Sequence, residues 1–199
     1  MKKFEGMTDE QLALLYSKGN NSAFDELLDR TQTKLFTYIM FVVRDHDIAD
    51  DIFQETFVKV ITKLQQGLYT DTGKFLFWLT RIAHNCIMDW YRLQQGRHVV
   101  EPNEENNLEN LRGASVLDID RETELVNEQV LRDVKKMMEA LPAPQREVVY
   151  MRFYQQLSFK EIAELTGVSI NTSLGRMRYA LINMRHMAKK HQIELVLQG

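Results

Sequence analysis

Apolar residues recur along this chain at spacings of three and four, the period of an α-helix, and the alternation that marks strands is nearly absent. From just after Ser22 to about Val43, residues Phe24, Leu27, Leu28, Leu35, Phe36, Ile39 and Met40 keep that period. A second run, Ile48 to about Gln65, places Ile48, Ile52, Phe53, Thr56, Phe57, Val60, Ile61 and Leu64 on one wide apolar face. Local chemistry marks the ends. Thr8-Asp9-Glu10-Gln11 has the form of a capping box, in which Thr8 accepts from the backbone and Gln11 reaches back. Asp47 is placed to cap the run at Ile48, and Gly67 to close it. Two shorter helices are expected next, Asp71 or Thr72 to Ala83 and about Cys86 to Gln95, with Asn85 between them and Gly96 at the end.

Periodicity then fails. Residues 97–121 are rich in Asn and Glu, contain Pro102 and Gly113 and lack aromatic side chains, which predicts a flexible linker. Helical pattern resumes near Glu122 and is halted after Ala140 by Leu141-Pro142-Ala143-Pro144. Gln145–Tyr154, Ser158–Leu165 and Ser169 to about Lys190 complete it. The pattern predicts an all-α protein of two small helical domains, residues 1–96 and 122–199, joined by the acidic linker 97–121.

Charge changes this picture in one respect. The net charge of −3 over 199 residues argues against a nucleic-acid binder, but the average conceals segregation. Between Glu101 and Glu124 eight acids face two arginines, a net of −6. From Thr172 to the end five bases face only Glu194, and from Lys74 to Arg97 four bases face only Asp89. Two basic segments flank an acidic one. The N-terminus lacks the apolar core of a signal peptide, and no stretch reaches the roughly 20 apolar residues that span a bilayer. The lone Cys86 excludes an intrachain disulfide and fits a reducing cytoplasm, so a cytosolic protein is expected.

Ser158-Phe-Lys-Glu-Ile-Ala-Glu-Leu-Thr-Gly-Val-Ser169 carries the most specific chemistry. Ser158 and Glu161 form a capping box, Gly167 supplies a turn where positive φ is cheap, and Ser169 caps the next helix. Small Ala163 allows two helices to cross closely, as in a helix-turn-helix. The second helix is expected to present Asn171, Thr172, Ser173, Gly175, Arg176, Arg178 and Tyr179 outward and to pack Ile170, Leu174, Met177 and Leu181 inward. Amides, hydroxyls and arginines at the start of a helix suit a major-groove reader. The rival is an ordinary hairpin with a solvated face. Gly175 costs such a helix about 1 kcal/mol relative to alanine, for close helix packing or for close approach to DNA.

Two further segments stand out. Asp47, Asp50, Asp51, Gln54, Glu55 and Val58 form an acidic stripe with amide and apolar members, suited to a basic partner helix or simply to solvent. A carboxylate metal site is disfavoured, because the paired Glu-x-x-His of di-metal bundles is absent. Phe75 to Arg92 interleaves Phe77, Trp78, Trp90 and Tyr91 with Arg81, Asn85 and Arg92; such aromatics are either core or a surface for an unstacked base. His84, Cys86 and Asp89 lack a fourth ligand and the spacing of a closed zinc site, so neither metal nor cofactor is expected.

The order of these parts resembles the extracytoplasmic-function (ECF) group of sigma-70 family RNA polymerase sigma factors, over nearly the whole chain. Asp50-Asp51-Ile-Phe-Gln54-Glu55-Thr-Phe57-Val-Lys-Val looks like region 2.2, Phe75 to Arg92 like regions 2.3 and 2.4, and Leu141-Pro-Ala-Pro-Gln-Arg-Glu-Val-Val through the Arg176 helix like region 4. The resemblance implies a non-enzymatic factor that directs core polymerase to promoters and helps to melt them. It implies polymerase docking on the β′ clamp helices through Asp50, Asp51, Gln54, Glu55, Phe57 and Val58. Reading of the minus-ten element then falls to Trp78, Arg81, Asn85, Asp89 and Arg92, with Asn85 in a loop lining a pocket for a flipped base. The minus-thirty-five element falls to Asn171, Thr172, Ser173, Gly175, Arg176, Arg178 and Tyr179. Apolar surface of the second domain is implied to grip the β flap tip, the acidic linker to thread polymerase toward the RNA path, and an anti-sigma factor to be a partner; association with the nucleoid follows from binding polymerase. Thr172-Ser-Leu-Gly-Arg176 departs from the commoner pattern, in which a second Arg or Lys precedes a small residue and Arg. A one-component regulator with the same helix-turn-helix would need an effector pocket or dimerisation helix within residues 1–96 and would bind DNA without polymerase. An enzyme is third, since no phosphate-cradling glycine loop, nucleophile elbow or metal cluster is present.

Overall fold

The computed structural model describes residues 4–70, 73–97 and 122–191. Their elements are α1 (Asp9–Ser17), α2 (Asn21–Val43), α3 (His46–Gln65), α4 (Phe75–Arg97), α5 (Glu122–Glu139), α6 (Ala143–Phe153), α7 (Phe159–Thr166) and α8 (Ile170–Lys190). Helices α1 to α4 make one compact unit; α5, α6, α8 and most of α7 make another. The expected linker lies, from residue 98 on, outside the described residues.

Local signals explain most helix ends. The Thr8 box closes as its spacing predicts: the Thr8 N–H donates to Gln11 Oε1 at 3.0 Å and the Gln11 N–H to Thr8 Oγ1 at 3.3 Å. Two expected helix starts are displaced, each by two residues. Asn20, not Ser22, starts α2, its Oδ1 accepting the Ala23 N–H at 3.3 Å, and Asp45, not Asp47, starts α3, accepting the Ile48 N–H at 3.1 Å. Each cap accepts the N–H three residues on, so each helix begins ahead of its first apolar residue, with a polar first turn.

The two short helices expected between residues 71 and 96 are a single helix. Leu79, Ile82, Ala83, Cys86 and Ile87 are all buried at i, i+3, i+4, i+7 and i+8. That stripe packs against α1, α2 and α3 without a break, and no Gly or Pro interrupts it. Asn85 therefore stands in the middle of a rigid helix and not in a loop.

Long-range polar ties set the first unit's geometry. Arg30 on α2 donates to the carbonyls of Met7 at 2.7 Å and Phe4 at 3.2 Å and pairs with Glu26 at 2.8 Å, which fixes the segment ahead of α1. Gln65 donates to the Tyr16 hydroxyl at 3.0 Å, joining α3 to α1. Glu10 reaches across from α1 to the start of α4: its Oε1 accepts the Phe75 N–H at 2.9 Å. That bond, more than any other influence, holds the Glu10 carboxyl below its ordinary value. Glu10→Ala is expected to cost about 1 kcal/mol, as loss of a helix cap does. Because the folded-state value is the depressed one, the stabilisation is complete above the ordinary glutamate range and is lost as pH falls through the folded value. Urea unfolding at neutral pH and between pH 5 and 3 checks both parts; Glu10→Gln keeps an acceptor and should flatten the pH dependence.

In the second unit α6 and α8 pack together and α5 crosses both. Arg146 is buried at the α5–α6 corner, donating to the Glu139 carbonyl at 2.9 Å and the Leu141 carbonyl at 2.8 Å. It satisfies carbonyls that a helix end leaves open, and so permits the sharp turn at Pro142. Asn183 on α8 donates to Gln145 on α6 at 2.8 Å. Ser158 and Glu161 close the expected box on α7, and Gly167 takes φ of 69° in the turn to α8. Ile162, Ala163 and Leu165 face inward, as the spacing predicts.

Candidate polymerase and nucleic-acid interfaces

Burial of one face of α3 leaves the opposite face to solvent. Asp51, Gln54, Glu55 and Val58 lie there together, with Val58 63% exposed, a large fraction for a valine in a helix. Asp50 is at the edge, 3.6 Å from His46. Phe57 leaves this group. Its ring stands 4.9 Å from Phe53 and 6.3 Å from Phe24, so it belongs to the aromatic packing between α3 and α2. The stripe is a solvated acidic ridge with one apolar point, the kind of surface whose charges steer a basic partner and whose apolar atom gains from being covered.

On α4, Arg81, Asn85 and Arg92 are exposed at i, i+4 and i+11, and Asp89 lies between them at i+8. Trp78, at the head of the row, packs edge-on against Tyr69 at 5.0 Å and is 5.6 Å from the Phe75 ring. It anchors the start of the helix. Trp90 and Tyr91 stand 4.8 Å apart, centroid to centroid. Asp89 is held from two sides, by Arg92 at 2.7 Å and by Lys59 of α3 at 3.6 Å. Lys59 in turn bonds Glu55 at 2.8 Å, and that bond is the main cause that raises its pKa. A carboxylate so neutralised orients Arg92 more than it repels phosphate. The Glu55–Lys59–Asp89–Arg92 chain thus joins the acidic ridge to the α4 row. The i,i+4 spacing of Glu55 and Lys59 was visible in the sequence; the reach to Asp89 was not. Cys86 lies buried behind them, and burial pushes its thiol up. Among the described residues no three His, Cys, Asp or Glu side chains converge as metal ligands, and no helix is long and apolar enough to cross a membrane.

Helix α8 is turned by about one residue from its expected setting. Its buried face is Ser173, Met177, Ala180, Met187 and Ala188, while Ile170, Leu174 and Leu181 are exposed by 46%, 44% and 41%. This face, and not the bulkier aliphatics, packs against α5 and α6. Ser173 is thereby removed from the candidate DNA face. Its hydroxyl is fully buried and finds no hydrogen-bond partner among the described residues. Ser173→Ala is therefore expected to stabilise the fold by about 1 kcal/mol and leave DNA binding unchanged. Thermal unfolding with a promoter-binding titration checks both, and a loss of binding would contradict the burial.

The remaining predicted readers divide by exposure. Asn171, Thr172, Arg178 and Tyr179 face solvent, and Arg176 is half-buried. Ser169 Oγ accepts the Thr172 N–H at 3.0 Å and lies 2.8 Å from the Thr172 hydroxyl, so the helix start is firmly set. The exposed aliphatics have their own setting. Phe159, Leu174, Met177, Leu181 and Ile182 line an open groove of about 430 Å³ edged by Arg178 and Arg185.

Residues 27–97 match sigma-70 region 2, and residues 131–174 match sigma-70 region 4. The ECF RNA polymerase sigma-E factor of Haemophilus influenzae is 29% identical over 178 residues, covering 87% of this chain and 91% of its own length. That of Escherichia coli K12 is also 29% identical, covering 87% and 90%. Among solved structures, the sigma factor RpoE of Bartonella quintana, crystallised with the anti-sigma factor NepR, aligns with a TM-score of 0.59 at 22% identity over 83% of this chain and 96% of its own. CnrH, solved with the cytosolic domain of CnrY, aligns with a TM-score of 0.59 at 23% identity over 92% and 97%. Those two likenesses concern the fold. With both sigma regions matched in order, and ECF factors aligned over nearly their full length, the chain belongs to the ECF group of the sigma-70 family.

Proposed function

We propose that this sigma factor docks on core RNA polymerase through the exposed ridge of α3, reads the minus-ten element with the outer row of α4, and reads the minus-thirty-five element with the exposed face of α8. The observation that carries the reading is that face: Asn171, Thr172, Arg178 and Tyr179 stand in solvent on a capped helix that follows a glycine turn, as a major-groove reader requires. Arg176 sits at its margin. Residues 1–96 act as the region-2 domain, 122–199 as the region-4 domain and 97–121 as the tether between them. The apolar groove of α8 offers the β flap tip an amphipathic seat. Asn85, on a helix, meets a displaced base as an exposed amide beside Arg81, without a loop-built pocket. An anti-sigma factor regulates it in the cytoplasm, and its place on the nucleoid follows from polymerase.

The chain performs no catalysis of its own; it lends specificity to an enzyme. Each basic surface is small and total charge is negative, so duplex binding by the free protein is weak and gains its strength when polymerase holds both readers in register. Run-off transcription by core polymerase from a promoter library, with and without the chain, tests this. Transcripts that depend on the chain support it. Tight sequence-specific duplex binding without polymerase, and no effect on transcription, would point instead to a one-component regulator.

A further inference from the structure

Six glycines have described surroundings, and five of them take positive φ, where glycine is the natural choice. Gly175 is the exception. It lies mid-way along the first half of α8 with ordinary helical backbone, and a Cβ placed on it meets no atom within 4 Å. Close helix packing, one of the two reasons expected from the sequence, is thereby removed. Among the described residues nothing asks for glycine here, and a helix interior is weakened by it.

The surroundings on the outer side are specific. On a helix the surface neighbours of a residue are those three and four places before and after it. For Gly175 these are Asn171, Thr172, Arg178 and Tyr179, and all four are exposed. Two short polar side chains stand on one side, a guanidinium and a phenol on the other, and the floor between them is a bare Cα. The Thr172 hydroxyl is steadied by Ser169 at 2.8 Å, so that wall is set in advance. The result is a shallow hollow whose rim carries hydrogen-bonding groups and whose base lies closer to the helix axis than any other side chain would allow.

We propose that this hollow is the point of closest approach to DNA, receiving the edge of a base pair in the major groove. The missing Cβ brings the backbone of α8 within contact of the base pair, and only at that depth do short Asn171 and Thr172 reach a base edge from one side while Arg178 reaches from the other. Asn171 matches the N6 and N7 positions of adenine, and Arg178 the O6 and N7 positions of guanine. This role rests on the reading that α8 enters the major groove, and the test separates the two.

The full-length chain is assembled with core RNA polymerase and challenged with a pool of promoter duplexes randomised at the upstream and downstream elements; wild type, Gly175→Ala and Arg178→Ala are compared by the sequences each retains. Gly175→Ala is expected to raise the melting temperature by roughly 2–8 °C, since it improves a helix and meets no atom. It is also expected to lose discrimination at one or two adjacent upstream positions by about five- to hundredfold, the range of one good base contact, with all other positions unchanged. A melting gain with wild-type selectivity overturns the proposal. So does a loss spread evenly over all sequences, which would mean approach to the phosphate backbone, or a drop in melting temperature, which would mean a packing role. Unchanged selectivity in Arg178→Ala as well overturns the assignment of α8 itself.

Discussion

Asp51→Arg combined with Val58→Arg is expected to lower affinity for core RNA polymerase by more than about 100-fold, near 3 kcal/mol. Both side chains lie on the exposed ridge of α3, and Val58 supplies its one apolar point. An interface centred there loses an attractive carboxylate, gains two repulsive guanidiniums and must bury a charge where a methyl group sat. The fold should not notice. Arginine is a good helix former, both positions face water, and surface substitutions of this kind change stability by about 0.5 kcal/mol or less. Titration of core polymerase with labelled protein, beside a urea melt of the free chain, measures the two effects separately. Near-native affinity in the doubly substituted protein would move the docking surface elsewhere.

Phe75→Ala is expected to cost the first unit about 3–5 kcal/mol, the usual range for truncating a buried phenylalanine. The ring is 1% exposed and stands 5.5 Å from Tyr69 and 5.6 Å from Trp78, so its removal opens a cavity that neither rigid neighbour can fill. Total stabilities of about 5–15 kcal/mol make that a large share. The damage falls where α4 begins, at the amide capped by Glu10, and so disturbs the row Arg81, Asn85 and Arg92 that depends on the helix being straight and fixed. Urea unfolding followed by the fluorescence of Trp78 and Trp90 reads the loss directly; a change below about 1 kcal/mol would mean that the site collapses around the gap, or that the ring is not core. Promoter opening should fall in step, since a frayed α4 presents its bases without order.

What could be read in advance followed the range of the forces involved. The capping boxes at Thr8 and Ser158, the turn at Gly167 and the outward ridge of Asp51, Gln54, Glu55 and Val58 depend on residues three or four apart, and they stand as their spacing predicts. Apolar period sufficed for the helices themselves and for an all-α build. It misled where two apolar stretches met without a breaker, because nothing local distinguishes a junction from a continuation. The unbroken buried stripe from Leu79 to Ile87, and the α1–α3 surface it meets, decide that α4 is one helix.

On α8 the error was rotational. A helix with aliphatics on two faces and small residues on a third offers several settings, and hydrophobicity favours burying Ile170, Leu174 and Leu181. Packing against α5 and α6 took the face of Ser173, Met177 and Ala180 instead. That choice removed Ser173 from the exposed face proposed to read DNA and left Gly175 open within it. The bond from Lys59 to Asp89 and the cap from Glu10 to Phe75 link residues 30 and 65 positions apart. By itself, then, the sequence determined the helices, their caps and which charged residues were available for contact. Only the tertiary structure decided how each helix is rolled, and hence which of those residues reach a partner, because roll is set by the shape of the surface a helix meets and not by the order of its own side chains.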